Sequence, residues 1–546
     1  MIRWAWPLML CLALLMGCES EPPPAGVPRT KLDMGRERAD ALWVSLRSRQ
    51  QQVASLCGLA SKAAPAYPEM ARSFLVQALE VAQGLAGPQA RRLAEQMKKL
   101  GQEKGSEEYL ANARRAEQLV RAAWPLALVA RCALVVDLDL AARALELGLQ
   151  RARANPDPAG RDRDLAELVE VMGRRQAGRA REIAREIGDA LLRARAWRAL
   201  AELTRQPADL TKAVEAAGRV EDAGQAALCL AHTAGLAFSW NPQDGVLLFA
   251  KAFDLAGHAA PPKRAALLQG EVAAALANLD PRAGFDLARR VQPGQGARFK
   301  ALRIVARSLL ASDPRLGRQV MDAAIREAAE VPLTYERNRA LGLLAADLAQ
   351  SDPQAARVIL EQVPASQYLL RGEAEAAMVL AQAGKNVRRA AQQAQAIGDN
   401  YVRLGVLARL ADIATPAEPA LARELYQQAL SQSARMGGLL PRRALIRAWA
   451  ALDAETAVRL AGEVSQPAAR AQTYVILAKV LHERGNGAGA QWCLQVAVET
   501  INRMNVQETL DKVRLLGDMG REWSVIEVGQ ANTYFALGAK AAKDLG

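Results

Sequence analysis

The sequence predicts an all-α protein: a right-handed α-α superhelix, or solenoid, of stacked helical hairpins. Three observations predict this fold. Apolar residues recur at i, i+3, i+4 and i+7 through almost every segment after residue 30, and strong helix formers dominate. No run of alternating β-branched residues occurs. Asp-Pro or Asn-Pro pairs interrupt the pattern at intervals that fit one hairpin.

The amino terminus predicts export. Met1-Ile2-Arg3 is a short basic start, Trp4 to Met16 carries no charge, and a small residue and a cysteine follow. This order is typical of a secretory signal, and the apolar run is shorter than the about 20 residues that span a bilayer. The ending Leu15-Met16-Gly17-Cys18 resembles the lipobox of bacterial lipoproteins, in which the cysteine becomes the lipidated first residue. The resemblance makes Cys18 the lipid attachment site.

The same resemblance implies a location in the bacterial cell envelope. Glu19 follows the cysteine, whereas an Asp at that position retains well-studied Gram-negative lipoproteins in the inner membrane. We therefore expect a lipid anchor in the outer membrane, with the protein facing the periplasm. Residues 19–30, ESEPPPAGVPRT, are Pro-rich and lack periodicity, which predicts a disordered, extended tether.

Proline-containing breakers mark the hairpins of the central region. They stand at Asn241-Pro242, Asp280-Pro281, Asp313-Pro314 and Asp352-Pro353, and the prolines follow one another at 39, 33 and 39 residues. Asp or Asn can cap a helix, and Pro suits its first turn because that turn has unpaired N–H groups anyway. Each breaker is predicted to begin the second helix of a hairpin.

Two internal matches support repetition. Residues 128–156 align without a gap on residues 304–332, so that Val129-Ala130-Arg131 meets Val305-Ala306-Arg307, and residues 187–203 align on 397–413. A single hairpin cannot cover its own apolar face, so hairpins must stack. The array resembles the tetratricopeptide and HEAT-like families of helical repeats in architecture. The tetratricopeptide consensus is not kept, and the choice between the two families stays open.

The chain outside the repeats is predicted to cap them. Terminal hairpins need caps because their outer apolar sides have no neighbour. The predicted division is a signal peptide over residues 1–17, the tether over 18–30, an N-terminal helical cap region over 31–105, α-solenoid repeats over 106–516 and C-terminal capping helices over 517–546.

The composition narrows the range of functions that the protein can have. Of 546 residues only 4 % are aromatic, which is few for an enzyme that stacks sugars or a protein that stacks unpaired bases. The formal charge is +13, and it falls to +12 once a signal containing Arg3 is removed. An anionic partner is plausible, such as a glycan, a lipid headgroup or an acidic protein, while an export signal argues against nucleic acid. Adjacent arginines are expected either to lie on solvated helix faces or to form a stripe that faces anionic material, and they occur at Arg91-Arg92, Arg114-Arg115, Arg174-Arg175, Arg289-Arg290, Arg388-Arg389 and Arg442-Arg443.

Signatures of catalysis are lacking in the sequence. It contains no GxSxG, HExxH, P-loop or dinucleotide-binding pattern, and its histidines, His232, His258 and His482, lie far apart. We therefore expect no catalytic residue, no metal and no cofactor. Cysteines outside the signal and the lipobox are expected to be buried small hydrophobes or paired disulfides, an alternative that stays open for Cys57, Cys132, Cys229 and Cys493.

These observations lead to one function and two alternatives. We expect a non-enzymatic, membrane-anchored periplasmic scaffold that binds a protein partner in the cell envelope on its helical-repeat surface. Lipoproteins of this build assist envelope assembly, so the resemblance suggests such a role. The first alternative is an envelope lipoprotein that binds a glycan or an anionic lipid. The second is a cell-wall-acting enzyme or its regulator, since soluble lytic transglycosylases carry a similar helical superhelix; their Glu-Ser and Gly-Leu-Met-Gln elements do not follow the array here.

Overall fold

The described residues of a computed structural model are helical, with short turns and no strand, which confirms the predicted all-α class. The structure describes residues 31–85, 88–104, 107–291, 296–332, 334–436, 446, 449, 453–504, 508–526 and 528–544. The predicted signal peptide, Cys18 and the tether lie outside these residues. No described helix is long and apolar enough to cross a membrane.

The helices are numbered here in chain order. The first fourteen are α1 Lys31–Ala63, α2 Pro68–Gly84, α3 Pro88–Lys104, α4 Glu107–Arg121, α5 Trp124–Ala133, α6 Leu138–Arg153, α7 Pro158–Met172, α8 Ala177–Glu186, α9 Ala190–Thr204, α10 Pro207–Ala217, α11 Ala223–Trp240, α12 Pro242–Ala256, α13 Pro262–Ala277 and α14 Pro281–Arg290. The others are α15 Ala297–Ser312, α16 Pro314–Ala329, α17 Thr334–Leu348, α18 Pro353–Glu361, α19 Tyr368–Ala383, α20 Val387–Ala394, α21 Asn400–Ala414, α22 Pro419–Met436, α23 Ala454–Gly462, α24 Pro467–Glu483, α25 Gly487–Asn502, α26 Thr509–Ile526 and α27 Val528–Lys543.

The chain divides into two compact units. Unit 1 comprises residues 1–47 and 88–120, and its described helices are the first half of α1 together with α3 and nearly all of α4. Unit 2 comprises residues 48–87 and 121–546 and therefore contains the repeats. The division falls inside the predicted N-terminal region 31–105, because α2 belongs to unit 2 and α3 to unit 1.

Unit 2 is a series of helix pairs. Each pair has a first helix and a second helix that pack against each other, and each first helix also contacts the first helix of the next pair. The first helices form one row, interrupted only around residues 437–452, most of which are not described. The first helices are α5, α7, α9, α11, α13, α15, α17, α19, α21, α24 and α26, and the second half of α1 precedes them.

The Asp-Pro and Asn-Pro breakers cap the second helices, as the sequence predicts. The carboxylate oxygen Oδ1 of Asp280 accepts hydrogen bonds from the backbone N–H groups of Arg282 and Ala283, both at 3.0 Å. Asp313 accepts from Leu316 N at 3.2 Å. These bonds satisfy donors that the first turn of a helix leaves unpaired. The caps therefore fix where each second helix begins.

A small residue stands four positions after the cap and sets the distance between the two helices of a pair. At three breakers it is glycine: Gly245, Gly284 and Gly317. A Cβ atom added at Gly284 would lie 2.5 Å from the Cα of Ala277, which belongs to the paired first helix. At Gly245 it would lie 2.5 Å from the Cα of Phe238. The backbones thus approach too closely for any side chain larger than hydrogen.

The first and last helix pairs of unit 2 are in direct contact. Lys62 Nζ, near the end of α1, lies 2.9 Å from Asp518 Oδ1 on α26. Tyr67 packs edge-on against Phe535 with ring centroids 6.0 Å apart. Leu59, which is 2 % exposed, belongs to the same hydrophobic cluster as residues of α26 and α27. Residues more than 450 positions apart in sequence therefore share one core.

Candidate functional site

Arginines in the first turn of several first helices hold successive pairs together. Arg193 Nε donates to the carbonyl oxygen of Ile187, and Arg470 Nε to that of Val464, both at 2.7 Å. Each arginine is the fourth residue of its helix and bonds a carbonyl one or two residues after the preceding second helix ends. Those carbonyls have no partner within that helix. This part of the basic excess is therefore structural.

A second set of arginines connects neighbouring second helices. An arginine near the start of one second helix pairs with a carboxylate at the start of the next, at Arg72–Asp137 (2.6 Å), Arg282–Asp313 (2.9 Å), Arg318–Asp352 (3.3 Å) and Arg388–Glu418 (2.7 Å). Exposed pairs of this kind each contribute only about 0–1 kcal/mol, but their repetition keeps the pairs in register. They also neutralise arginines that would otherwise attract an anionic partner.

One of these contacts between second helices is buried. Asp209 on α10 is 2 % exposed and accepts from Arg181 Nε and Nη2, both at 2.8 Å, and from the Thr204 hydroxyl at 2.7 Å. Burial alone raises the pKa of Asp209, but the hydrogen bonds from Arg181 and Thr204 outweigh it and hold that pKa below its usual value. The carboxylate stays charged and serves packing.

On the surface that the row of first helices forms, charged side chains are less completely paired with opposite charges than those between the second helices. Glu167 on α7 is solvent-exposed, yet desolvation by the surrounding protein raises its pKa. Arg131 on α5 lies 3.4 Å from Glu170 Oε1, also on α7. An exposed carboxylate with a raised pKa is expected where side chains from neighbouring helices surround it without covering it.

A recess on the surface that the first helices form spans four of these helices in succession. It has a volume of about 660 Å³ and receives residues from α15, α17, α19 and α21 and from the turn after α17. Alanines, Leu380 and the 44 %-exposed Ile413 form its apolar surface. Its lining residues are Arg307, Ala346, Asp347, Ala349, Gln350, Ala377, Leu380, Ala381, Arg409, Asp412 and Ile413.

The polar groups of this recess differ in how they are paired. Asp347 accepts from Arg303 Nε at 2.5 Å and from its Nη2 at 3.2 Å. Asp412 accepts from the Tyr426 hydroxyl at 2.5 Å, and desolvation followed by this bond raises the pKa of Tyr426, so the phenol keeps its proton. Arg307 and Arg409 are exposed, and within the described part of the chain no carboxylate pairs with either guanidinium. Two cations are thus available to an incoming group.

A second groove, of about 570 Å³, is lined mainly by amide side chains. Its amides already bond to one another, since Gln395 Nε2 donates to Gln428 Oε1 at 2.7 Å and Gln432 Nε2 to the Asn400 carbonyl at 2.9 Å. Arg403 Nε also donates to Gln432 Oε1 at 3.1 Å. The first bond joins the end of α20 to α22 of the next pair, and the other two join α21 to α22 within one pair. This groove is therefore part of the packing of the repeats, and the first recess is the better candidate for binding.

The residues that the sequence analysis named are dispersed. His258, in the turn after α12, has its Nδ1 2.9 Å from the carbonyl oxygen of Asp254 in the last turn of that helix. No group of three metal-binding side chains occurs among the residues that the structure describes. All four cysteines of the described chain are free thiols, but Cys57 and Cys132 are adjacent. Of the arginine pairs, Arg290 bonds Asp254 at 2.7 Å, while Arg442-Arg443 lies outside the described residues.

Sequence reasoning did not single out the recess. The gapless alignment set Arg131 on Arg307, so one of its cations was part of a recognised repeat. Nothing in the sequence distinguishes Arg307 and Arg409 from arginines that cap a helix or pair with a carboxylate. That difference depends on contacts between helix pairs.

Comparison with known proteins adds little to this description. No protein-family model matches the chain, and no curated protein matches it. A crystal structure of Ton1535 from Thermococcus onnurineus NA1 is 12 % identical over 65 % of this chain and 99 % of its own, with a TM-score of 0.24. A structure described as a circular tandem repeat protein with novel repeat topology and enhanced subunit contact surfaces is 16 % identical over 93 % of this chain and 97 % of its own, with a TM-score of 0.15. At such TM-scores neither likeness carries an argument.

Proposed function

We propose that the protein is a non-enzymatic, lipid-anchored scaffold of the bacterial envelope that binds an acidic segment of a protein partner in the recess between α15 and α21. The observation that carries the proposal is the pair of unpaired guanidinium groups, Arg307 and Arg409, beside an apolar surface of small side chains. Cations next to an apolar floor suit a segment that combines carboxylates with apolar residues.

The cellular location in this proposal rests on the amino terminus. The lipobox-like Leu15-Met16-Gly17-Cys18 and Glu19 favour a lipid anchor at Cys18 in the outer membrane, with the protein facing the periplasm. The Pro-rich residues 19–30 would then hold the helical repeats away from the membrane surface. An anchored scaffold of this kind suits a role in envelope assembly, where a partner must be kept near the membrane.

Anchoring is tested by Cys18→Ser. We expect the wild-type protein in the membrane fraction and the variant in the soluble periplasmic fraction, because several acyl chains each contribute about 0.8 kcal/mol per buried CH₂ to membrane binding. Intact mass measured on both proteins shows whether the acyl groups are lost with the cysteine. A variant that remains in the membrane fraction with unchanged mass contradicts the anchor.

Partner binding is tested with a photo-crosslinking amino acid at Ile413 in living cells. Val358, which is 55 % exposed on the second helix α18, is the matched control position. We expect the probe at Ile413 to capture one protein reproducibly through an acidic segment, and the probe at Val358 not to capture it. Arg307→Glu with Arg409→Glu should reduce the yield about tenfold, since repelling a carboxylate at each site costs on the order of 1 kcal/mol or more.

The control for charge is Arg174→Glu with Arg175→Glu, an equal change at two exposed arginines in the turn after α7. It should leave the yield unchanged. Equal losses in both double variants would mean that overall charge, and not the recess, attracts the partner. Binding of the purified protein to anionic vesicles or to sacculi, abolished by salt and without a captured protein, would favour the glycan- or lipid-binding alternative.

A further inference from the structure

We propose that Cys57 and Cys132 form a reversible disulfide that links α1 to α5 at the place where the chain leaves unit 2 and returns to it. This inference concerns the redox chemistry of the fold and does not depend on the proposed partner.

Both cysteines belong to unit 2, and Ser61 places Cys132 against the helix that carries Cys57. Ser61, one helical turn after Cys57, has its Oγ 3.0 Å from the Cys57 carbonyl oxygen and 3.5 Å from Cys132 Sγ. Cys57 and Ser61 stand four residues apart on one face of α1, so Cys132 Sγ lies beside the Cys57 side chain, and each of the two thiols shifts the pKa of the other. A disulfide needs the sulfurs at about 2.05 Å, and rotation about the Cα–Cβ bonds of the two cysteines is the movement that would bring them together.

The environments of the two thiols differ in the way that thiol–disulfide exchange requires. The hydrogen bond from Cys57 lowers the pKa of the half-buried Cys132 to about 7, assisted by Ser61 and by the charge of Arg131. The same bond, together with burial, raises the pKa of the Cys57 thiol. Cys132 is therefore the more accessible thiol and is ionised in a substantial fraction near neutral pH, whereas Cys57 is protonated and sheltered.

The position of the pair explains why a covalent link would be useful there. Between the pair formed by α1 and α2 and the pair formed by α5 and α6, the chain passes through residues 88–120 of unit 1. The other described junctions between successive pairs are crossed by short turns. The contacts across this junction include Arg72–Asp137 at 2.6 Å and Arg151 Nη2 to the Ala82 carbonyl at 3.0 Å. A disulfide would close the loop of chain that passes through unit 1. A disulfide that closes a longer loop stabilises the folded protein more.

The chemistry requires a disulfide as the oxidant, such as a thiol–disulfide oxidoreductase or oxidised glutathione. The Cys132 thiolate attacks one sulfur of that disulfide, forms a mixed disulfide and releases one thiolate. Cys57 then loses its proton to solvent and attacks Cys132 Sγ, forming the Cys57–Cys132 bond and releasing the second thiolate. Two protein thiols are oxidised and one external disulfide is reduced to two thiols.

The test uses the purified full-length protein, reduced and then incubated with oxidised glutathione at pH 7. Tryptic digestion places Cys57 in the peptide of residues 50–62 and Cys132 in that of residues 132–143. We expect these two peptides to be recovered as one disulfide-linked species, with Cys229 and Cys493 still reduced. Unlinked peptides, with both thiols free or with glutathione retained on Cys132, would overturn the proposal.

Two single variants separate the roles of the thiols. Cys57→Ser should accumulate glutathione on Cys132, because the second attack is lost, whereas Cys132→Ser should leave the buried Cys57 unmodified. The melting temperature of the oxidised wild type should fall by several degrees on reduction, and that of either variant should not change. Glutathione on Cys57 in Cys132→Ser, or a wild-type melting temperature that is insensitive to reduction, would contradict the assigned order and the linking role, respectively.

Discussion

Replacing Gly284 with alanine is expected to destabilise the protein by about 3 kcal/mol, the upper part of the usual range for overpacking a core. The added Cβ would lie 2.5 Å from the Cα of Ala277 and 2.6 Å from its backbone nitrogen. Neither atom belongs to a flexible side chain, so the paired helices α13 and α14 would have to separate. The measurement is the melting temperature followed by circular dichroism, supported by the midpoint of chemical denaturation.

Gly235→Ala is the matched control. Gly235 lies within α11, and a Cβ added there meets nothing within 4 Å. Because alanine is favoured over glycine in a helix by about 1 kcal/mol, this variant should be slightly more stable than the wild type. The two identical substitutions are thus predicted to act in opposite directions. A destabilisation of similar size in both variants would contradict the close approach at Gly284.

The helix pairs could be predicted from the sequence because their signals are local. Asp280 and Asp313 cap helices through backbone groups only two or three residues away, so the Asp-Pro pairs alone place those turns. The sequence also shows the glycine four residues after the cap, but it does not show what that glycine contacts. Only the structure shows that Gly284 faces the backbone of Ala277 instead of solvent.

Contacts between distant parts of the chain could not be predicted in this way. Cys57 and Cys132 are separated by a segment that passes through another unit over residues 88–120, and no CxxC spacing marks them. The recess could not be predicted from the sequence either. Arg409 becomes a binding candidate only because no carboxylate on the neighbouring described helices pairs with it. In an Arg-rich chain, the packing of the helix pairs determines which arginines bond neighbouring helices and so stabilise the fold.

The contact between the first and last helix pairs of unit 2 predicts the other large effect. Leu59→Ala should destabilise the protein by about 3 kcal/mol, since removing a buried leucine side chain costs its burial and leaves a cavity. Leu59 Cδ2 lies 2.9 Å from the position of a Cβ added at Gly517 and 3.0 Å from one added at Gly538. Thermal and chemical denaturation of the full-length protein measure the loss.

The most direct test of the arrangement is a double-mutant cycle between residues 59 and 538. Gly538→Leu alone should destabilise by crowding Leu59, and combined with Leu59→Ala it should refill the space that the leucine leaves. We predict that the double variant is more stable than the sum of the single effects implies, by about 1 kcal/mol or more. Leu276→Ala on α13, combined with Gly538→Leu, is the control and should be additive. Additivity at residues 59 and 538 to within about 0.5 kcal/mol would contradict the contact between the two ends of the helical array.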